Sequence, residues 1–269
     1  MIQSLGMGKR KRTLLLSTGQ TSQYSSELDD GHYKKGIIKS YTILTTGAQS
    51  GTTNIDLTHL GANTGVSFVS ATKEIDCAGA LGVFKGTGSE TIVITGSASN
   101  NGTFTTKTGG DGSKILVNEA ITDEAAGASV TIAKREVISN NCVIDNNTGL
   151  MWARYIVSKM GIGGDGKMPW TGVPYDIFAW CSACNAAVLG GYSDWRVANL
   201  LELYSIEDNE TPTSLPDSTA FPSFPNAFIY SSSTKTTNIA SGLFLDMNSY
   251  QASSGTKTTA AYQCALVRG

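Results

Sequence analysis

The sequence carries little charge and almost no histidine. Only 16 % of its 269 residues are Asp, Glu, Lys or Arg, against about a quarter in typical domains, and 2 are histidines. Few residues are therefore available for acid–base catalysis or for a zinc site. The net charge of −2 gives no reason to expect nucleic-acid binding. We predict no cofactor, no metal and no enzymatic activity.

Long apolar runs are also missing. No stretch approaches the roughly 18 apolar residues of a membrane helix, so no membrane span is expected. The opening "MIQSLGMGKRKR" places basic residues after a weak apolar patch, the reverse of a secretory signal. A protein made in the cytoplasm is expected, released by a route such as particle assembly and lysis. The basic run 9–12 is either a solvated tail or an anchoring arm that touches a partner.

The sequence is instead rich in turn-forming and β-forming residues, with 30 glycines. In the middle of the chain, short runs of Val, Ile, Thr and Phe alternate and are separated by turn signals such as 100–102. This pattern predicts a small antiparallel all-β domain at residues 46–135. Its carboxylates Asp111, Asp123 and Glu124 are interpreted as turn and surface groups rather than metal ligands.

Two helices are predicted after this domain. The stretch "PYDIFAWCSACNAAVLG" has helical spacing, with Asp176 as the N-cap and Gly190-Gly191 as the end. The shorter "ANLLELYSIED" follows, with Asn199 as its N-cap. A single Cys181-x-x-Cys184 motif without a second pair does not predict a metal site. The buried stripe of the first helix is expected to contain Phe178, Cys181, Ala186, Val188 and Leu189.

Five sequence blocks then occur in an order that carries a family resemblance. They are "VIDNNTGLMWAR", an aromatic helix with a cysteine, "GGYSDWRVANLLELYSI", "AFPSFPNAFIYSSS" and "CALVRG". Together they resemble the Lcl C-terminal (DUF1566) domain over about 137–269. The resemblance implies a C-type-lectin-like α+β domain at residues 136–269. Residues 1–45 would then be an N-terminal arm that attaches the chain to a partner.

The sequence departs from the family pattern in two blocks and contains one motif that we interpret as structural. The family's "WRLPT" lacks its proline here, and "YWSST" lacks its tryptophan. We interpret Asp194, Trp195 and Arg196 as scaffold residues, with Trp195 buried where helix meets sheet. Arg196 is expected to pair with Asp194 or a loop carbonyl. Trp152 belongs to the same motif.

Cysteine pairing remains open at this point. Cys264 in the last predicted strand is expected to lie near the first helix. A disulfide with Cys181 or with Cys184 is one reading, and reduced buried thiols are the other.

On a fixed scaffold, function is expected in the loops. Residues 230–262 are dominated by Ser, Thr, Asn, Gly and Tyr, a set typical of adaptable binding surfaces. Tyr230, Asn248 and Tyr250 are the predicted ligand contacts. Plain soluble turns would have the same composition.

The lead-in "STGQTSQYSSELDDGHYKKG" resembles the segment that often precedes this domain in phage and bacterial proteins. The middle segment, from "TIVITGSASNNGTFTT" to "ITDEAAGASVTIAKR", is similar to small β modules of phage structural proteins. We therefore expect a phage virion protein: a fibre, spike or tail-tip subunit that binds a host surface glycan or protein. Its N-terminal part would bind other virion proteins, and a homo-oligomer is expected, with a trimer favoured. The alternative is a decoration or tail-joining protein without receptor binding. A polysaccharide-cleaving enzyme needs paired acids about 5–10 Å apart, and no convincing pair stands out.

Overall fold

The computed structural model describes residues 39–84, 88–155, 166–208, 215–222, 224–249, 251–259 and 261–269. In these ranges the chain is mostly β, with seventeen strands in three sheets and two α-helices. No helix of the described ranges has the length and hydropathy needed to cross a membrane.

The middle of the chain forms a seven-stranded antiparallel sheet. Its strands are β2 (Thr52–Asn63), β3 (Ser67–Val69), β4 (Glu74–Asp76), β5 (Thr91–Thr95), β6 (Gly102–Lys107), β7 (Lys114–Val117) and β8 (Val130–Ser139). They pair in the order β2-β8-β5-β6-β7-β4-β3. In β5, the fully buried Ile92 and Ile94 alternate with more exposed residues, as expected for a sheet with one buried face. The antiparallel β structure predicted for this segment is confirmed.

The turn signal at 100–102 lies at the end of a six-residue loop, 96–101, that joins β5 to β6 and surrounds a carboxylate. Glu124 accepts hydrogen bonds from the Ser97 hydroxyl at 2.6 Å, the Ala98 amide at 2.9 Å and the Asn100 side chain at 3.0 Å. The hydroxyl of Ser97 is the main group that holds the pKa of Glu124 below its usual value. Asp123 accepts from the Ser70 amide at 2.6 Å. Both carboxylates act as turn groups, as predicted.

The C-terminal part contributes two further sheets. The first contains β1 (Tyr41–Leu44), β9 (Cys142–Asp145), β10 (Met151–Ala153), β12 (Arg196–Val197) and β17 (Leu266–Arg268), in the antiparallel order β1-β9-β10-β17-β12. The second contains β11 (Met168–Pro169), β13 (Phe228–Thr234), β14 (Ser241–Asp246), β15 (Gln251–Thr256) and β16 (Ala261–Cys264), in the order β11-β16-β13-β14-β15. Within it, β13 and β16 run parallel.

The seven-stranded sheet is inserted between two paired strands of the C-terminal part. β1 pairs with β9, and Leu44 lies directly opposite Cys142. The segment 41–44, predicted to lie in the N-terminal arm, is therefore a strand of the C-terminal sheet. Residues 1–38 of that arm lie outside the described residues. The division into 1–45, 46–135 and 136–269 stays a prediction.

The two helices, α1 (Ile177–Ala186) and α2 (Leu200–Ile206), begin at the predicted caps. Asp176 accepts hydrogen bonds from two amides of the first turn, at 3.0 and 2.8 Å. Asn199 and Glu202 form a reciprocal capping box, in which each side chain accepts from the other residue's amide. Both predicted N-caps are confirmed.

The predicted end of α1 is wrong, and the predicted buried stripe is confirmed for Cys181 and Leu189 but wrong for Ala186 and Val188, which are exposed. The helix stops at Ala186, and Val188 has a left-handed φ of +55° and is 49 % exposed. The residues α1 buries are Ile177, Trp180, Cys181 and Cys184. Helical spacing predicted that Val188 is buried. The helix ends before it, however, and the tight turn after Ala186 directs Val188 toward solvent.

The core crosses from the inserted sheet into the C-terminal part. Ile55, Leu57 and Ile138 of the seven-stranded sheet belong to the same apolar cluster as Trp180 and Cys184 of α1. A second cluster lies around Trp152 on the other side of the β13–β14 layer. The insert is therefore packed against the C-terminal scaffold as well as joined to it by two chain crossings.

Candidate functional site

The Asp194-Trp195-Arg196 motif lies between α1 and the first C-terminal sheet. Trp195 is 3 % exposed, and its indole donates to the Leu189 carbonyl at 2.9 Å. The Asn185 side chain spans its backbone, accepting from the Trp195 amide at 2.7 Å and donating to its carbonyl at 2.8 Å. The predicted burial of Trp195 between helix and sheet is confirmed.

The predicted pairing of Arg196 with Asp194 or a loop carbonyl is wrong. Arg196 makes two hydrogen bonds to Glu202, at 2.6 and 2.7 Å. Asp194 instead accepts from Arg268, at 2.6 and 3.0 Å. The reason is tertiary, because β12 pairs with β17 and thereby places the C-terminal arginine beside Asp194.

These ion pairs keep both carboxylates charged. The hydrogen bond from Arg268 holds the pKa of Asp194 below its usual value. Burial pushes the pKa of Glu202 upward, but the hydrogen bonds from Arg196 and the Asn199 amide outweigh it, and the pKa is lowered. Each of the two carboxylates is thus held in an ion pair with an arginine.

Trp152 belongs to the second apolar cluster. It is 0 % exposed and packs edge-on against Phe221, with ring centroids 6.1 Å apart. Its indole nitrogen has no hydrogen-bond partner among the described residues. Trp152 therefore acts here as packing volume.

The thiols predicted to lie together do so. Cys184 is 0 % exposed and Cys264 is 2 % exposed, and both pack in one cluster with Cys181. Burial, reinforced by the neighbouring thiols, raises the pKa of Cys184 well above its usual value. Burial likewise raises the pKa of Cys181 to about 11. All five cysteines are free in this structure, which is the second of the two readings left open by the sequence.

The three predicted ligand contacts fall in different places. Tyr230 is 0 % exposed, so its side chain is a core group and is not available to a surface ligand. Its position follows from strand alternation, which turns it toward the cluster that contains α1. Asn248 is exposed at the end of β14. Tyr250 lies outside the described residues.

Asn248 lines a cavity of about 360 Å³ at one end of the second C-terminal sheet. We call this cavity the β13–β16 pocket. Its lining includes two aromatic residues, three residues with amide side chains and one lysine. The lining residues are Lys167, Asn226, Ala227, Phe228, Asn248, Ala261, Tyr262 and Gln263.

The aromatic wall is the exposed end of a larger cluster. Phe228 is 38 % exposed, and its ring lies 5.1 Å from Tyr262 and 5.0 Å from Phe244. Tyr262 rests in turn on Tyr230, at 4.7 Å. The Phe228 ring is thus in contact with two other rings, Phe244 and Tyr262, and Tyr230 supports it only through Tyr262.

The sequence contained a signal for this pocket that reasoning from composition missed. Phe228 and Tyr230 are two residues apart on one strand, so they share a face. The strand's end, rather than its centre, is the part that reaches solvent. Selecting aromatic residues at strand ends would have named Phe228 in place of Tyr230.

The chain therefore contains a mostly β domain with a tightly held Trp–Arg motif and a small surface pocket. Residues 141–268 match the family model of the Lcl C-terminal domain. This part of the chain is an Lcl C-terminal domain, as the sequence motifs indicated. Comparison with curated proteins and with solved structures gave no match for the chain.

Proposed function

We propose that this chain is a phage virion protein, a fibre, spike or tail-tip subunit, whose Lcl C-terminal domain binds the host cell surface. The observation that carries the proposal is the β13–β16 pocket. It is of ligand size, since small-molecule sites span about 300–1,000 Å³, and it presents an exposed aromatic ring beside polar amides.

The pocket stands on a scaffold that is suited to binding. Its aromatic wall is supported by the buried Tyr230 and Phe244. Asp246 fixes the turn that carries Asn248, accepting from the Asn248 amide at 2.9 Å and from the Ser249 hydroxyl at 2.6 Å. Preorganised groups bind with a smaller loss of conformational entropy.

The proposal is one of binding without catalysis. The carboxylates of the family motif are occupied by Arg196 and Arg268. His59 is 4 % exposed, and its burial lowers its pKa to about 3. It is therefore neutral and enclosed at physiological pH, and His32 lies outside the described residues.

The remaining parts of the proposal concern assembly. The N-terminal part binds other virion proteins, and the chain forms a homo-oligomer, with a trimer favoured. Several copies on one particle would turn weak individual contacts into firm adhesion, because the second contact forms at high effective concentration. The working location is the virion.

The test is the binding of the purified full chain to a panel of intact bacterial strains. Saturable binding to some strains is expected, and the exchanges Phe228→Ala and Asn248→Ala should each weaken it. Leu201→Ala is the matched control, because Leu201 is 78 % exposed on α2, which packs on the opposite face of the β13–β14 layer. The control should bind as the unchanged chain does.

A folded chain that binds no strain would contradict host adhesion. The decoration or tail-joining role would then be the better account. Sedimentation measurements on the same preparations would report whether the chain is trimeric.

A further inference from the structure

We infer that the contact between His59 and Tyr175 is an acid-sensitive connection between the seven-stranded sheet and the Lcl C-terminal domain. The connection is closed while His59 is neutral, and acid opens it by protonating the His59 ring. The inference is independent of the proposed adhesion role, since it concerns how two parts of one chain are held together.

The contact joins the two parts of the fold through stacked rings. His59 lies on β2 of the seven-stranded sheet, and Tyr175 lies next to the N-cap of α1. The two ring centroids are 4.8 Å apart, and the interplanar angle is 6°. Tyr175 also packs against the apolar clusters of both parts. Loss of the stack would therefore remove packing between the insert and the Lcl C-terminal domain.

The hydrogen bonding of His59 matches a neutral ring. Its Nδ1 lies 2.7 Å from the Leu57 carbonyl oxygen, and because a carbonyl can only accept, Nδ1 carries the proton. In a neutral imidazole the other nitrogen, Nε2, is then an acceptor. Nε2 is buried and has no hydrogen-bond partner in the part of the chain that the structure describes. A proton added there would create a buried charge whose N–H has no acceptor, which is costly.

The nearest charged group is a lysine, which opposes a second positive charge. Lys134 on β8 and His59 pack against the same ring, Phe84, with Lys134 Nζ 5.5 Å and the His59 ring 5.9 Å from its centroid. Lys134 Nζ also lies 3.1 Å from the carboxylate of Glu90. Burial lowers the pKa of His59 to about 3, with a smaller contribution from the charge of Lys134, although the Leu57 hydrogen bond acts in the opposite direction.

Two more titratable groups belong to the elements that pack here. Glu136 is two residues beyond Lys134 on β8, so strand alternation places it on the same face, and it is 9 % exposed. Tyr175 stays uncharged in acid, because burial raises the pKa of its hydroxyl. An imidazole that reaches water takes up a proton between about pH 8 and pH 5. His59 is therefore the group expected to respond to mild acid.

The direction of the effect follows from the difference in proton affinity. In the open form the ring reaches water, where the pKa of an imidazole is about 6.5. The open form therefore binds more protons than the closed form, and the closed form loses stability as pH falls below that value. Each pH unit below it raises the ratio of open to closed chains about tenfold, until the closed form is itself protonated. Between pH 7.5 and pH 5.0 we expect a rise of about thirtyfold.

The experiment measures how fast two buried thiols of the full chain react with a pyridyl disulfide, a reagent that also labels thiols in mild acid. Cys184 of α1 belongs to the cluster that contains Ile55 and Leu57 of β2, so its labelling reports opening between the two parts. Cys77 is buried in the separate core of the seven-stranded sheet, so its labelling reports unfolding of the insert. Each rate is divided by that of the urea-unfolded chain at the same pH, and peptide mass mapping identifies the labelled thiol.

We expect the normalised labelling of Cys184 to rise about thirtyfold from pH 7.5 to pH 5.0, and that of Cys77 to stay constant. In His59→Phe, which keeps an aromatic ring for the stack but cannot be protonated, the rise at Cys184 should disappear. His32→Phe is the matched control, because the chain has 2 histidines, and it should behave as the unchanged chain does. Carboxylates titrate in all three chains and cancel from the comparison.

Three results would overturn the inference. Equal pH dependence in the unchanged chain and in His59→Phe would show that another group drives the opening. A parallel rise at Cys77 would show that acid unfolds the insert rather than the contact. The third result comes from NMR titration of the His59 Cε1 proton in the unchanged chain, which needs no variant to fold. A midpoint at about pH 6.5 while Cys184 stays protected would show that the ring is protonated without opening.

Discussion

Gly190 provides a test of how closely the turn after α1 approaches the first C-terminal sheet. The residue has a φ of +62°, and an added Cβ would lie 2.8 Å from the Cys142 sulfur and 3.0 Å from the Asn140 carbonyl oxygen. A left-handed conformation costs a residue with a side chain about 1–2 kcal/mol. Forcing a methyl group into a packed interior adds about 1–3 kcal/mol. Gly190→Ala should therefore lower the free energy of unfolding by about 2–5 kcal/mol.

Gly149 supplies the matched control. It has a similar φ of +78°, but nothing lies within 4 Å of its added Cβ. Gly149→Ala should lower the free energy of unfolding only by the cost of the left-handed conformation, about 1–2 kcal/mol. Both exchanges restrict the unfolded chain equally, so the difference between them measures the steric contact alone. Urea unfolding of the full chain, followed by circular dichroism, is the assay.

A double variant locates the contact. Replacing Cys142 by Ala removes the sulfur that the new Cβ would meet, while the Asn140 carbonyl remains. The added cost of Gly190→Ala should be smaller in the Cys142→Ala background, a coupling that a double-mutant cycle isolates. If Gly190→Ala costs no more than Gly149→Ala, the turn does not pack on β9 as described and the reasoning fails.

Three further predictions concern buried and paired groups. Glu202→Ala should lower the thermal stability by the equivalent of about 1–2 kcal/mol, since it removes half of a capping box and the partner of an arginine. Asp194→Ala should cost clearly less, and an equal loss would contradict this ranking. Because the pKa of Glu202 is lowered in the folded chain, its contribution to stability is present above the unfolded-state pKa and is lost as pH falls through the folded-state pKa. Glu202→Gln should therefore make the loss of stability at acid pH less steep. An unchanged slope would show that the direction of the pKa shift is wrong. Because burial raises the pKa values of Cys184 and Cys264, both should resist alkylation at pH 8 until urea is added, and rapid labelling of the native chain would show that they are accessible.

Local features were readable from the sequence, since each is decided by a few neighbouring residues. The caps Asp176 and Asn199 satisfy the first amides of their own helices, so no distant partner is needed. The alternation in β5 likewise predicts one buried face. The family blocks added the motif around Trp195, which the structure buries as expected.

Features that depend on distant parts of the chain could not be read in this way. Arg268 takes Asp194 only because β17 lies beside β12. The pocket needs Phe228 from β13, Tyr262 from β16 and Asn248 from the turn after β14. Composition predicted a binding surface in that region, but it gave no measure of how deeply each ring is buried, and Tyr230 was named although Phe228 is the more exposed of the two.

The insertion of the seven-stranded sheet has a mechanical consequence. Since Leu44 and Cys142 are opposite each other, tension that enters through β1 passes straight to β9 across a ladder of four residue pairs. The insert and the ladder are two parallel connections between β1 and β9, so the insert carries no force while the ladder holds. Only after β1 peels away would the shared apolar contacts of Ile55 and Leu57 be loaded. The short β1–β9 ladder would therefore break first, and the seven-stranded sheet would unfold and lengthen the chain only at higher tension.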